Sequence, residues 1–100
     1  QRACDQSRLV DTYDVRILDD TVVKVRVFLT DATFIDVFHN ADTGKTSYTL
    51  IEEKRRIFGI DNAFIDWHVH PFDQPDQHIP CGKASFADFL KAIEDHKSST

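Results

Sequence analysis

Apolar and polar residues alternate along much of the chain between residues 11 and 61. Tyr13, Val15 and Ile17 are separated by charged residues, and the segment 22–30 repeats the same pattern. A period of two with many β-branched residues predicts strands, and a polar alternate face predicts an antiparallel sheet that meets water on one side. Short polar turns between the runs indicate hairpins, and Gly44 suits a turn position with positive φ. The predicted strands are 11–19, 22–30, 33–39, 46–52 and 55–61.

The C-terminal segment has a helical period instead. Its apolar residues are spaced at i, i+3, i+4 and i+7, and they are Phe86, Phe89, Leu90 and Ile93. This spacing predicts an amphipathic helix over residues 85–96, with Ser85 as N-cap and Asp88 as the acid of a capping box. So short a helix needs a partner surface, so its Phe-rich side should cover the sheet. The predicted fold is α+β: a five-stranded meander, a long His/Pro-rich loop and one helix packed on the sheet.

The composition is that of one globular domain. The chain has 100 residues, 41% hydrophobic and 29% charged, so a single domain over 1–100 is expected, with 1–10 as a loose arm. No apolar run is long enough to cross a membrane, and with only two cysteines a cytoplasmic, reduced protein is expected. A bridge between Cys4 and Cys81 remains open. The net charge of −5 argues against general nucleic-acid affinity but leaves local patches free to bind.

Residues 62–84 hold the densest set of chemically useful side chains. This segment contains all three prolines, the one Trp and three of the five His. In an extended backbone His68 and His70 would project to the same side. Two neighbouring imidazoles suit an acid and a base around a phosphate, or a metal ion. Ordinary hydrogen-bonding roles for these histidines are the plain structural alternative.

Two further sets of residues belong to these hypotheses. For a metal, His68, His70, His78 and Cys81 would supply enough ligands for zinc or another divalent ion. For a phosphodiester, the basic run Lys54, Arg55 and Arg56 would bind the negatively charged phosphate beside the histidines. Lys24 and Arg26 could extend this basic patch. Asp61 could orient a histidine or join a metal site. The run could equally be a solvated hairpin tip.

The order of these motifs resembles a known family. Asp61-Asn62-Ala63 at the end of a strand, then His68, His70-Pro71 and His78, then a short helix, is similar to the TumE-type toxins of toxin–antitoxin pairs. The architectural likeness covers roughly residues 13–96. The resemblance implies growth inhibition through RNA and neutralisation by a small partner antitoxin.

Two functions are therefore expected as alternatives. The first is a toxin-like ribonuclease in which His68 and His70 act as acid and base, with no metal cofactor, while Lys54, Arg55, Arg56 and Asp61 bind substrate. The second is a non-catalytic His-rich domain that binds a metal or another protein. The expected partners are a small antitoxin, RNA and a second copy of the chain, without a membrane. Metal content of the purified protein distinguishes the two.

Overall fold

Antiparallel strands follow one another in a single sheet, in the order in which they occur along the chain. The computed structural model describes residues 10–17, 20–62 and 66–98. Within these ranges the strands are β1 (Val10–Ile17), β2 (Val22–Leu29), β3 (Phe34–Asn40), β4 (Thr46–Glu52), β5 (Arg55–Asp61), β6 (His68–His70) and β7 (Ile79–Pro80). They are followed by a helix, α1 (Phe86–Ser98). The predicted α+β class, meander and C-terminal helix are confirmed.

The strand count of five was too low, because the described residues contain seven strands. The segment expected to be a long loop adds β6 against β5 and β7 against β6. These strands have three and two residues, too few to show a period, so pairing with the neighbouring strand rather than a sequence pattern defines each of them. Most of the predicted arm, residues 1–9, and the predicted end of the first strand, residues 18–19, lie outside the described residues.

One face of the sheet carries the hydrophobic core. The buried side chains of the sheet alternate along their strands, and they are Val25, Val27, Leu29, Ile35, Tyr48, Leu50, Phe58 and Ile60. From α1, Phe89 and Ile93 are fully buried and Leu90 nearly so. The helix therefore covers this face with the stripe expected from its periodicity. We call the opposite side of the sheet the open face.

Aromatic rings form a connected series through the core into the segment between β6 and β7. In spatial order the members are Trp67, Tyr48, Phe89, Phe58, Phe72 and His96. Phe72 stacks on Phe58 with ring centroids 4.3 Å apart, and its centroid lies 3.6 Å from that of His96 on α1. The segment is therefore attached to both the sheet and the helix.

The ends of the elements are set by local chemistry. At the start of α1 the backbone N–H of Ser85 donates to Asp88 at 2.9 Å, and the N–H of Asp88 donates to the Ser85 hydroxyl at 3.1 Å. These two bonds form the predicted capping box, and they lower the pKa of Asp88. Gly44 has the expected positive φ, 76°. In the described part of the chain, α1 is too short and too polar to cross a membrane.

Candidate histidine–aspartate site

Pairing between β5 and β6 places both histidines of the His-x-His segment on the open face. His68 lies opposite Asp61 in the ladder, and His70 lies opposite Gly59. Both rings are 3% exposed. The intervening Val69 packs against the core on the other face. The common direction expected for an extended His-x-His is therefore present.

The carboxylate of Asp61 bridges the two rings. One oxygen lies 3.1 Å from Nε2 of His68, and the other lies 3.1 Å from Nε2 of His70. The side chain of Asp61 is itself only 14% exposed. The bridge holds both imidazoles in a fixed orientation, which is what a positioned carboxylate does for histidines in catalytic and metal sites.

The remaining ring nitrogens are held by backbone carbonyls. Nδ1 of His68 donates to the carbonyl oxygen of Asp66 at 2.9 Å, and Nδ1 of His70 donates to that of Pro75 at 3.0 Å. A carbonyl oxygen only accepts, so both Nδ1 atoms carry the hydrogen. All four nitrogens of these rings are thus engaged by the protein. Neither ring presents a nitrogen to solvent, as the predicted acid and base would need to do to reach a substrate directly.

The surroundings of His70 favour its neutral form. Burial lowers the pKa of His70, and the positive charge of Arg56 lowers it further, while Asp61 acts in the opposite direction. The same Arg56 donates to the carbonyl oxygen of Pro75 at 3.0 Å, so it shares an acceptor with His70.

His78 lies over this pair. Its ring centroid is 5.0 Å from that of His68 and 4.6 Å from that of His70, and the side chain is exposed. One nitrogen from each of the three rings can be chosen so that all lie within 4.8 Å of one another. The structure thus brings together three of the four residues predicted for a metal.

Cys81, the fourth residue, lies outside that group of nitrogens. Its backbone N–H donates to the carbonyl oxygen of Trp67 at 3.0 Å, which places it on the strand path beside β6. Burial and the negative charge of Asp61 raise the pKa of the Cys81 thiol. Cys4, the other end of the possible bridge to Cys81, lies outside the described residues.

The basic run is divided by the hairpin. Lys54 occupies the turn, Arg55 pairs with Glu52 at the end of the ladder, and Arg56 reaches the segment after β6. Of the three, Arg56 is therefore the residue that the described structure places next to the histidines. Lys54 and Arg55 stand at an exposed hairpin, as their solvated-tip interpretation expected.

Gly59 and Asn62, which the sequence analysis did not assign to the site, help to fix its backbone and the position of the His70 ring. A Cβ on Gly59 would lie 3.3 Å from the backbone oxygen of Tyr48 and 3.4 Å from the His70 ring, so the ring packs where a side chain would be. Asn62 accepts from the N–H of Thr46 at 2.7 Å and donates to the carbonyl of Gly44 at 3.0 Å, which fixes the end of β5 beside Asp61. In the sequence, the Asp61-Asn62 pair at the end of a predicted strand was the signal that could have indicated Asn62.

Two rows of residues that pair across neighbouring strands cross the open face from His68 and His70 on β6 to β1. The row through His68 and Asp61 continues through Ser47, Phe38, Lys24 and Arg16. The row through His70 and Gly59 continues through Thr49, Asp36, Arg26 and Asp14. Between β1 and β4 these side chains line a groove of about 520 Å³.

Comparisons with family models, with curated proteins and with solved structures gave no match. A buried carboxylate shared by two imidazoles, a third imidazole above them and a groove on the same face with three basic and two acidic side chains suit an anionic substrate and a centre that polarises it.

Proposed function

We propose that the chain is a toxin-like small protein of a toxin–antitoxin pair that acts on single-stranded RNA bound across the open face. Asp61, His68, His70 and His78 would form its reaction centre, and Arg56 would meet a phosphate there. The observation that carries the proposal is the pair of ladder rows, which run from cationic residues on β1 and β2 directly to Asp61 and His70. The TumE-type resemblance of the motifs supports the same function.

The charges of the groove favour a local anion despite the acidic chain. Arg26 pairs with Asp36 at 2.8 Å, and Arg16 lies 3.5 Å from Asp14. Lys24 has no ion pair among the described residues, and it shares a ladder row with Asp61. Neighbouring strands are about 4.8 Å apart, so Lys24 on β2 and His68 on β6 are separated by roughly 19 Å, a path of a few nucleotides.

Aromatic side chains on the open face could stack with the bases of the RNA. Phe38 is the cross-strand neighbour of Lys24, and Phe28 is 37% exposed. Phe34 lies 6.3 Å from Phe28 between ring centroids and carries the Arg26 guanidinium over its face at 4.4 Å. Bases stack on such rings regardless of sequence, while cations follow the phosphates. The combination is that of a surface for a single strand rather than for a duplex.

Binding of a fluorescently labelled single-stranded RNA, followed by anisotropy at several salt concentrations, tests the proposal. Lys24→Ala should weaken binding and reduce the slope of log K against log salt by about 0.7, since one phosphate contact is lost. Lys91→Ala removes the same charge from the exposed side of α1 and is the matched control. Equal slopes for Lys24→Ala and the wild-type protein would place the RNA elsewhere.

The proposal also predicts an effect on the growth of cells that express the chain. Expression of the chain alone should slow growth, and co-expression of a small antitoxin encoded beside it should restore growth. Arg56→Ala should remove the inhibition while the protein stays folded, because the Arg56 side chain is exposed and the change removes one hydrogen bond, to Pro75, and one exposed ion pair, with Asp76. Growth inhibition that persists in Arg56→Ala at equal protein level would contradict the placement of the site.

A further inference from the structure

The Nε2 atoms of His68 and His70 meet the two oxygens of one nearly buried carboxylate, that of Asp61, each at 3.1 Å. Both Nδ1 atoms carry their hydrogen, because each donates to a backbone carbonyl. In each ring Nε2 is therefore the nitrogen that can bind an ion beside the carboxylate.

Two features of the site suit a metal ion. Two ligands at about 2.1 Å from one ion lie roughly 3.0–3.4 Å apart in octahedral or tetrahedral geometry, which includes the observed value. A third ring, His78, stands within 5.0 Å of both others, a packing that suits neutral imidazoles around a cation.

We propose that His68, His70, His78 and Asp61 form a binding site for one divalent transition-metal ion, with zinc as its representative. His68 and His70 bind through Nε2, His78 through a ring nitrogen and Asp61 through its carboxylate. The inference goes beyond the proposed function, since it holds whether or not RNA is the substrate.

The surroundings are those of a metal site. Metal-bound histidines commonly donate their second nitrogen to a carbonyl or carboxylate, which fixes the ring. Here Asp66 and Pro75 provide those carbonyls, one for each buried histidine. Arg56 donates to the same oxygen of Pro75 and so supports the second contact. Gly59 leaves the space that the His70 ring occupies.

The donor set identifies the class of ion. Three imidazoles and one carboxylate suit zinc, iron, nickel or copper, whereas magnesium and calcium prefer oxygen ligands throughout. Asp61 takes the place predicted for Cys81, because its carboxylate oxygens lie 3.1 Å from both buried rings. The exposed His78 closes the outer side, and its nitrogen must move inward because the three nitrogens now spread over as much as 4.8 Å.

The position of the ion has a consequence that does rest on the proposed function. An ion at Asp61 lies on the open face at the end of the cationic row. There it could polarise a phosphate oxygen or activate a water molecule. His68 and His70 would then act as ligands rather than as acid and base, which agrees with the absence of a solvent-facing nitrogen on either described ring.

The experiment is a zinc titration of the purified, metal-stripped chain by calorimetry, with elemental analysis of the reloaded protein. We expect one zinc per chain. His78→Ala and Asp61→Asn should each weaken binding by about tenfold or more. Cys81→Ser and His39→Ala should leave it unchanged, since Cys81 is outside the cluster and His39 is on β3 beside Thr46. Circular dichroism confirms that each variant is folded.

The outcomes separate the inference from the proposed function. Folded wild-type protein that binds no zinc, or His78→Ala that binds as tightly as wild type, overturns the metal site. A cobalt-loaded protein with a thiolate charge-transfer band would also overturn it, because Cys81 would then be a ligand. Because the titration contains no RNA, loss of RNA binding with intact zinc binding counts against the function alone, and the reverse result counts against the metal alone.

Discussion

Glu53 and Lys54 form the two-residue turn between β4 and β5 with φ values of 51° and 68°. Two positive φ values are typical of a type I′ turn, for which Asn-Gly is the preferred sequence. A residue with a Cβ is unfavourable in this conformation by about 1 kcal/mol or more. Lys54→Gly should therefore raise the free energy of unfolding by about 1 kcal/mol, measured by urea denaturation.

The control for this turn variant is Lys54→Ala, which removes the same charge but keeps the Cβ. The free energy of unfolding of Lys54→Ala should not exceed that of the wild-type protein. If both variants gain equally, repulsion between neighbouring basic side chains rather than backbone strain is relieved, and the interpretation of the turn is wrong.

Single residues of the site were predictable where strand alternation governs them. His68 and His70 share a side because they are two apart in an extended segment. Arg56 could not be distinguished from Arg55, because a register shift between Leu50 and Ile51 puts Arg56, not Arg55, opposite Ile51. In a strand without that bulge, steps of two back from Asp61 would have placed Arg55, not Arg56, on the same face as Asp61. Cys81 looked like a ligand by proximity in sequence, which carries no information about the direction of its side chain.

At the level of elements, the helix was the most predictable part of the chain. Its apolar spacing and its Ser85–Asp88 box are both local signals, and both are present in the structure. β6 and β7 were missed because they are stabilised by pairing with other strands, β6 with β5 and β7 with β6, over distances that a short window of sequence does not include. Prolines in that segment also favoured an irregular loop.

The capping box leads to a prediction about pH. Hydrogen bonds from Ser85 hold the pKa of Asp88 below its ordinary value, so the carboxylate stabilises the folded state above the unfolded pKa of about 3.9. This contribution is lost as the pH falls through the lower, folded-state pKa. Asp88→Asn should therefore be less stable than wild type at pH 7, and the difference should shrink toward pH 3 in urea denaturation.

A second acid tests whether the effect belongs to the helix terminus. Asp73→Asn removes a carboxylate from an exposed turn in the segment after β6. Its stability difference from wild type should vary much less between the two pH values. An equal loss in both variants would mean that overall charge, not the cap, determines the pH dependence.

At the scale of the whole molecule, the aromatic series couples the site to the core. Phe72 lies between Phe58 and His96, in the segment that supplies the Pro75 carbonyl to His70. Phe72→Ala should reduce the free energy of unfolding by about 2 kcal/mol, less than for a fully buried Phe because Phe72 is half-buried. The melting temperature should fall by about 10 °C.

The other ring in contact with Phe72 supplies the comparison. His96→Ala removes an exposed ring from the end of the same series and should shift the melting temperature by only a few degrees. If Phe72→Ala also shifts it by only a few degrees, the segment is held by its backbone contacts and not by the aromatic series.

The sequential order of the strands determines how this protein can emerge from a ribosome. Each strand pairs with the one made just before it, so the sheet grows at one edge with short loop closures and low contact order. The helix that covers the apolar face is made only after the seven described strands, and until then Val27, Ile35 and Leu50 lack their cover. A chain synthesised only as far as β7 thus exposes an aggregation-prone apolar sheet face, and α1 (Phe86–Ser98) removes that exposure when it packs.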